Sequence, residues 1–235
     1  MKSNIKYAVI AILIILISGL LYKYYNFYKY DINKYTSDYN ELQKTFNIDK
    51  TITIKKEILN QDQYKKVNDV AFKDFLTNYK QDETKKERYI LYNEKNEILK
   101  SFTISKDETY INKLNNVGNE TFKSLNKSDI LEKYNITNDI ELLKQIEATK
   151  DKNINFFTNI KEMKEQYFFK YLIIDILPKV ESITLIDGDL TGYIFNITDE
   201  MKEIRIIKEN NQFVFLFTGK YNDKEIEDFL KTLTI

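Results

Sequence analysis

Histidine, cysteine and tryptophan are missing from the chain, which has one proline and five glycines. Each absence removes a class of chemistry. Without Cys and His there is no thiol nucleophile, no Ser-His or Cys-His dyad, no zinc site built on those ligands and no haem attachment. Disulfides and a lipid-modified cysteine are excluded as well, although lack of Cys suits a reducing and an oxidising compartment equally. So few glycines leave no room for a Gly-rich phosphate loop.

Charge of one sign is also lacking. Lys plus Arg and Asp plus Glu each number 36. No basic excess points to nucleic acid. Arg88 and Arg205 are the only arginines, and the wealth of Lys, Asn and Ile is that of an AT-rich bacterial genome. What is present is a globular composition. Hydrophobic residues make up 43% and aromatic ones 14%, enough to build a sizeable core.

One long apolar run stands at the start. Tyr7 to Tyr22 is a 16-residue block between Lys6 and Lys23, with Leu13, Leu16 and Leu21 inside it. As a helix it spans about 24 Å, short of a hydrocarbon core of about 30 Å. Snorkelling lysines and a belt formed by Tyr22, Tyr24, Tyr25, Phe27 and Tyr28 make up the difference. A cleaved signal needs small residues before the cut. Ile17-Ser18-Gly19 is a poor match, so the block reads as a retained signal-anchor. The lysine balance is nearly even. A short tail before the block favours residues 1–6 in the cytoplasm, an anchor over 7–23 and the remainder outside the cell membrane.

Beyond the anchor, Leu21, Tyr25, Tyr28, Ile32, Tyr35, Tyr39, Leu42 and Phe46 are spaced 4, 3, 4, 3, 4, 3, 4. This heptad seam predicts that the anchor helix runs on through 24–46, projecting roughly 35–40 Å. The seam either self-associates over residues 21–46 or packs along its own domain. Four tyrosines among eight positions favour the second.

Residues 47–235 read as one α+β domain, with a sub-boundary near 120–127. "TITIKKEIL" (51–59) alternates like a strand, 62–79 carry helical spacing, and 88–104 form a hairpin around Asn93–Glu97. Ser105 with Glu108 predicts a helix start and Gly118 its stop. Ser128, Asn138 and Asn159 are candidate N-caps for helices over 126–177, ending before Pro178. Two hairpins follow, turning at Asp187-Gly188 and Asn210-Asn211, and then a helix capped by Asn222 and Glu225. The expected architecture is an antiparallel sheet covered by helices, closing in a four-stranded meander and a C-terminal helix.

Candidate chemistry is sparse. Asp187, Asp189, Thr191 and Gly192 match the first half of a calcium loop, but its twelfth place is Thr198 and a hairpin turn explains the same residues. Asp223, Glu225, Glu227 and Asp228 suit the start of a helix, where carboxylates meet the dipole. No catalytic set, metal site or cofactor is expected. The reading is a membrane-anchored extracytoplasmic domain that binds a protein, such as an envelope assembly or a toxin that it neutralises. A small-ligand sensor and a carboxylate-based hydrolase of envelope polymers are the alternatives.

Overall fold

The computed structural model describes residues 2–31, 39–58, 64–67, 70–73, 79–114, 120–123, 125–155, 157–175 and 177–235. Helix α1 (Lys2–Tyr30) is followed by α2 (Tyr39–Thr45) and β1 (Ile48–Ile54). Next come β2 (Tyr64–Val67), β3 (Val70–Lys73), β4 (Tyr79–Gln81), β5 (Arg88–Tyr92) and β6 (Ile98–Glu108). A helical stretch contains α3 (Tyr110–Lys113), α4 (Glu120–Lys123), α5 (Lys127–Lys133), α6 (Asp139–Lys150) and α7 (Ile160–Asp175). The chain ends in β7 (Ser182–Gly188), β8 (Gly192–Thr198), β9 (Met201–Lys208), β10 (Asn211–Thr218) and α8 (Asp223–Thr232).

Eight strands form one sheet in the order β1-β7-β8-β9-β10-β6-β5-β4. The meander β7–β10 is as expected, and the class is α+β. The sheet is mixed rather than antiparallel, because β1 runs parallel to β7. Every other neighbouring pair is antiparallel.

Strand alternation gives the sheet two buried faces. Ile183, Leu185, Tyr193 and Phe195 meet the helical layer. Ile186, Ile194, Ile204, Phe215, Phe217 and Phe102 meet α8 and β3. Two cores thus share one sheet. Phe102 centres the second: its ring stacks on Tyr89 at 4.9 Å and Phe217 at 5.4 Å, with Phe72 at 5.8 Å.

Several local expectations give way. Over 62–79 the described residues form the hairpin β2–β3 rather than a helix. Val70 and Phe72 are buried two residues apart while Ala71 bridges Thr234, so strand alternation wins over helical spacing. Ser105 and Glu108 lie within β6; the residue before α3 is Thr109, which makes no side-chain cap. Gly118 lies outside the described residues. Helix α5 starts after Asn126, not Ser128, whereas Asn138 and Asn159 do accept amides of their first turns. The turn after β7 includes Asp187-Gly188 but is longer than two residues: the last pair is Ile186 with Gly192, so residues 187–191 connect the strands. Gly188 ends the strand at φ +104, and a Cβ there would stand 2.4 Å from the Ile54 carbonyl oxygen. In the second hairpin Glu209, not an asparagine, adopts the positive φ.

The N-terminal helix continues past the apolar block, but to Tyr30 rather than to residue 46, and Asp31 is no longer helical. The segment Lys6–Tyr30 is long and apolar enough to cross a membrane, and none of its most apolar stretch is buried. Its last turn is gripped by the domain. Asn26 and Tyr30 are buried, Phe27 meets the Tyr167 ring edge-on at 6.4 Å, and Tyr30 meets Phe122 at 5.8 Å. Of the seam residues, Tyr25 and Tyr28 are exposed, while Tyr39 and Phe46 are buried in the helical core with Leu42 packed against it. Ile32 and Tyr35 lie outside the described residues.

Helix ends are closed by buried lysines. The ammonium of Lys150 donates to the Phe46 carbonyl just past α2, and that of Lys127 donates to the Leu114 carbonyl at the end of α3. Lys170 donates to the Lys152 carbonyl beyond α6 at 2.9 Å. These carbonyls lie just past the last helical residues, and a cation suits the negative end of a helix dipole.

Asp139, fully buried at the start of α6, does the converse for α3. Its carboxylate accepts the amides of Tyr110 at 2.8 Å and Ile111 at 3.0 Å. Tyr193 of β8 brings its hydroxyl within 3.0 Å of Asp139 Oδ2 and 2.9 Å of Gln212 Oε1. Gln212 Nε2 donates to the Glu108 carbonyl at 2.6 Å, which fixes the orientation of the amide. One hydroxyl proton cannot serve two acceptors, and the count closes when Asp139 holds a proton. Burial pushes that carboxyl above its usual value, against the pull of the two amides, the Tyr193 hydroxyl and the charge of Arg205.

Replacing Phe102 by Ala should cost about 3–5 kcal/mol in urea denaturation, the range for a fully buried aromatic. A carboxyl with a raised folded pKa binds its proton more tightly when folded. Its stabilisation is therefore complete below the ordinary Asp value and is lost as pH rises through the folded value. The stability gap between the wild type and Asp139→Asn should widen as pH falls from neutral to about 4. A constant gap across paired denaturation curves would show that the carboxyl is not raised.

Candidate binding groove

The α8 face of the sheet is not wholly covered. Its strand register sets two cross-strand rows side by side: Lys50, Thr184, Ile194 and Ile204, then Ser182, Asn196 and Lys202. The capping box of Asn222 and Glu225 fixes the start of α8. Its first turns wall the space above these rows, leaving a groove of about 240 Å³ with Ile52 and Ile194 at its base and Ile226 on the α8 wall.

The polar floor is internally bonded. Lys202 Nζ donates to Asn196 Oδ1 at 2.9 Å, and Asn196 Nδ2 donates to Ser182 Oγ at 3.0 Å and to Thr184 Oγ1 at 3.4 Å. On the rim, Lys50 Nζ donates to Asp223 Oδ2 at 2.7 Å. That bond holds the Asp223 carboxyl below its usual value and lifts the Lys50 ammonium. Both lysines of the groove are thus engaged within it. Asp49, Glu181 and Glu227 also line it, so four carboxylates face two ammonium groups.

A bulge aims one of those acids. Ile48 pairs with Ile183 and Lys50 with Thr184, so Asp49 is the extra residue on β1. Such an insertion turns a side chain out of the regular alternation, and Asp49 joins the groove.

Chemically, the groove suits a cationic or amine-bearing group. With its carboxyl held low by the Lys50 bond, Asp223 is an anionic partner rather than a proton donor. Among the described residues no group of three metal-ligating side chains exists.

Each candidate calcium-loop residue accepts a backbone amide. Asp187 Oδ1 accepts the Gly188 amide at 2.9 Å, Asp189 Oδ2 accepts the Lys56 amide at 2.8 Å, and the Thr191 carbonyl accepts the Ile207 amide. Tyr7, Leu13, Leu16, Leu21 and Tyr22 all lie exposed along α1. Of the acidic set at the start of α8, Asp223 and Glu227 line the groove, Glu225 pairs with Lys100 at 2.5 Å, and Asp228 pairs with Lys231 at 3.4 Å. Sequence reasoning missed Lys50, Ser182, Thr184, Asn196 and Lys202. Their signal is polarity at places where strand alternation calls for apolar side chains facing α8.

No protein-family model, no curated protein and no solved structure matches this chain.

Lys50 and Asp223 are largely exposed, with 45% and 66% of their side chains open to solvent. Lys50→Met should therefore cost less than about 1 kcal/mol in thermal denaturation. An NMR titration should show the Asp223 carboxyl returning toward its ordinary value. A larger loss of stability would make the groove part of the scaffold rather than a site.

Proposed function

We propose that this chain is a single-pass membrane protein whose α+β domain lies outside the cytoplasm and binds a protein partner without catalysing a reaction. The observation that carries this reading is α1. Leu13, Ile14, Ile15 and Leu16 are exposed on all sides of a 25-residue segment whose most apolar stretch has mean hydropathy 2.0. Water solvates such a surface poorly, and a bilayer core covers it. The domain holds only the last turn of the helix, so the apolar stretch stays free for lipid. The exposed Leu21 and Tyr25 give the membrane-proximal part of the seam a surface for a second copy of α1.

The groove supplies a binding surface on the sheet face opposite the layer that holds α1. A small-ligand sensor would instead enclose its ligand, whereas this groove is open to solvent. A carboxylate-based envelope hydrolase is the second reading, favoured by one observation: Asp49, Glu181, Asp223 and Glu227 line a groove open to solvent.

The absence of cysteine makes placement directly testable. Single-cysteine variants Lys2→Cys and Lys95→Cys report the two sides of α1. With a membrane-impermeant maleimide, intact cells should label Lys95→Cys only, and lysed cells both. Labelling of Lys2→Cys alone on intact cells would reverse the orientation. Labelling of neither, with full labelling after lysis, would place the domain in the cytoplasm.

A further inference from the structure

We infer that the outer edge of β1, with the acidic groove beside it, takes an extended basic segment of the partner protein as an added strand. This rests on the binding-domain reading and names its partner class. Strand β1 ends the sheet, and among the described residues no strand pairs with its outer edge. An open edge is a row of unmet N–H and C=O groups, which proteins blunt with short strands, proline or lysine. The opposite edge follows that rule, as β4 has three residues. Strand β1 has seven, no proline and one lysine, and that lysine is neutralised by Asp223. Asp49, Lys50, Thr51 and Thr53 are exposed, so nothing described covers this stretch of the edge.

Charge then selects the occupant. An incoming strand sends alternate side chains to the α8 face. There they meet Asp49, brought in by its bulge, and Glu227 on α8, both close enough to Lys50 to act on its charge. Four carboxylates against two ammonium groups leave the groove with unmet negative charge. Backbone pairing supplies the adhesion, and the carboxylates select lysine or arginine at every second place.

The test uses the full chain in lipid nanodiscs and fluorescein-labelled ten-residue peptides read by anisotropy. The (Lys-Thr)5 peptide should bind saturably, and more weakly as salt is raised. The (Glu-Thr)5 peptide, and (Lys-Thr)5 N-methylated at each Thr, should bind at least about tenfold more weakly. Glu227→Lys and Asp49→Lys should each weaken (Lys-Thr)5 binding about fivefold, with urea midpoints unchanged. Three results would each overturn the inference: no saturable binding up to about 1 mM, equal binding of the acidic peptide, or undiminished binding of the N-methylated one. Maleimide labelling is independent of all three, so a failure of placement and a failure of strand addition remain distinguishable.

Discussion

Asp139 sits where three elements must agree. Its carboxyl closes the start of α3, opens α6, and reaches through Tyr193 to Gln212 and the end of β6. The helical layer is thereby fixed to the sheet by a polar chain with no exposed member: Asp139, Tyr193 and Gln212 are all fully buried. Apolar packing alone would let the helices slide over the flat face of the sheet. A buried hydrogen-bond chain is satisfied in one arrangement only. Arg205 reinforces it from β9, its guanidinium lying 4.8 Å from the centre of the Tyr110 ring while bonded to Glu203. The two sheet faces can then specialise. One is committed to the helical layer, and the other keeps an end uncovered.

Helix termination shows how composition shapes the solution. Glycine ends many helices by adopting a left-handed turn, and this chain has five glycines in all. Lysines arriving from distant positions do the work instead. Lys150 links α6 to α2, Lys127 links α5 to α3, and Lys170 links α7 to the end of α6. Each cap is therefore a tertiary contact as well as a local one. Burial lowers the pKa of the Lys127 and Lys170 ammonium groups, which reflects how far they are drawn from water.

Much of this fold is legible in the sequence where a signal is local. The capping box at Asn222 and Glu225, the buried helix before Pro178 and the helical form of the apolar block at Tyr7 all depend on near neighbours, and all three are present. What was not legible depends on distant partners. The pairing of β1 with β7 has no local signature, so the sheet reads as antiparallel. Residues 70–73 carry helical spacing on paper, but Phe72 is claimed by Tyr89, Phe102 and Phe229. The groove is the hardest case. Ser182, Thr184, Asn196 and Lys202 look like ordinary strand residues until the register lines them up on one face. Asp49 looks regular until its bulge is known.

The parallel pairing of β1 with β7 has a consequence for the order of assembly. The two strands are separated by residues 55–181, and each doubling of such a loop adds little entropy cost but delays the meeting of its ends. Synthesis runs from β1 to β7, so β1 is complete long before β7 exists. Strand β1 must then wait without its sheet neighbour until β7 is made. It is thus among the last to be secured, and for that interval both of its edges are open, where the finished fold leaves one.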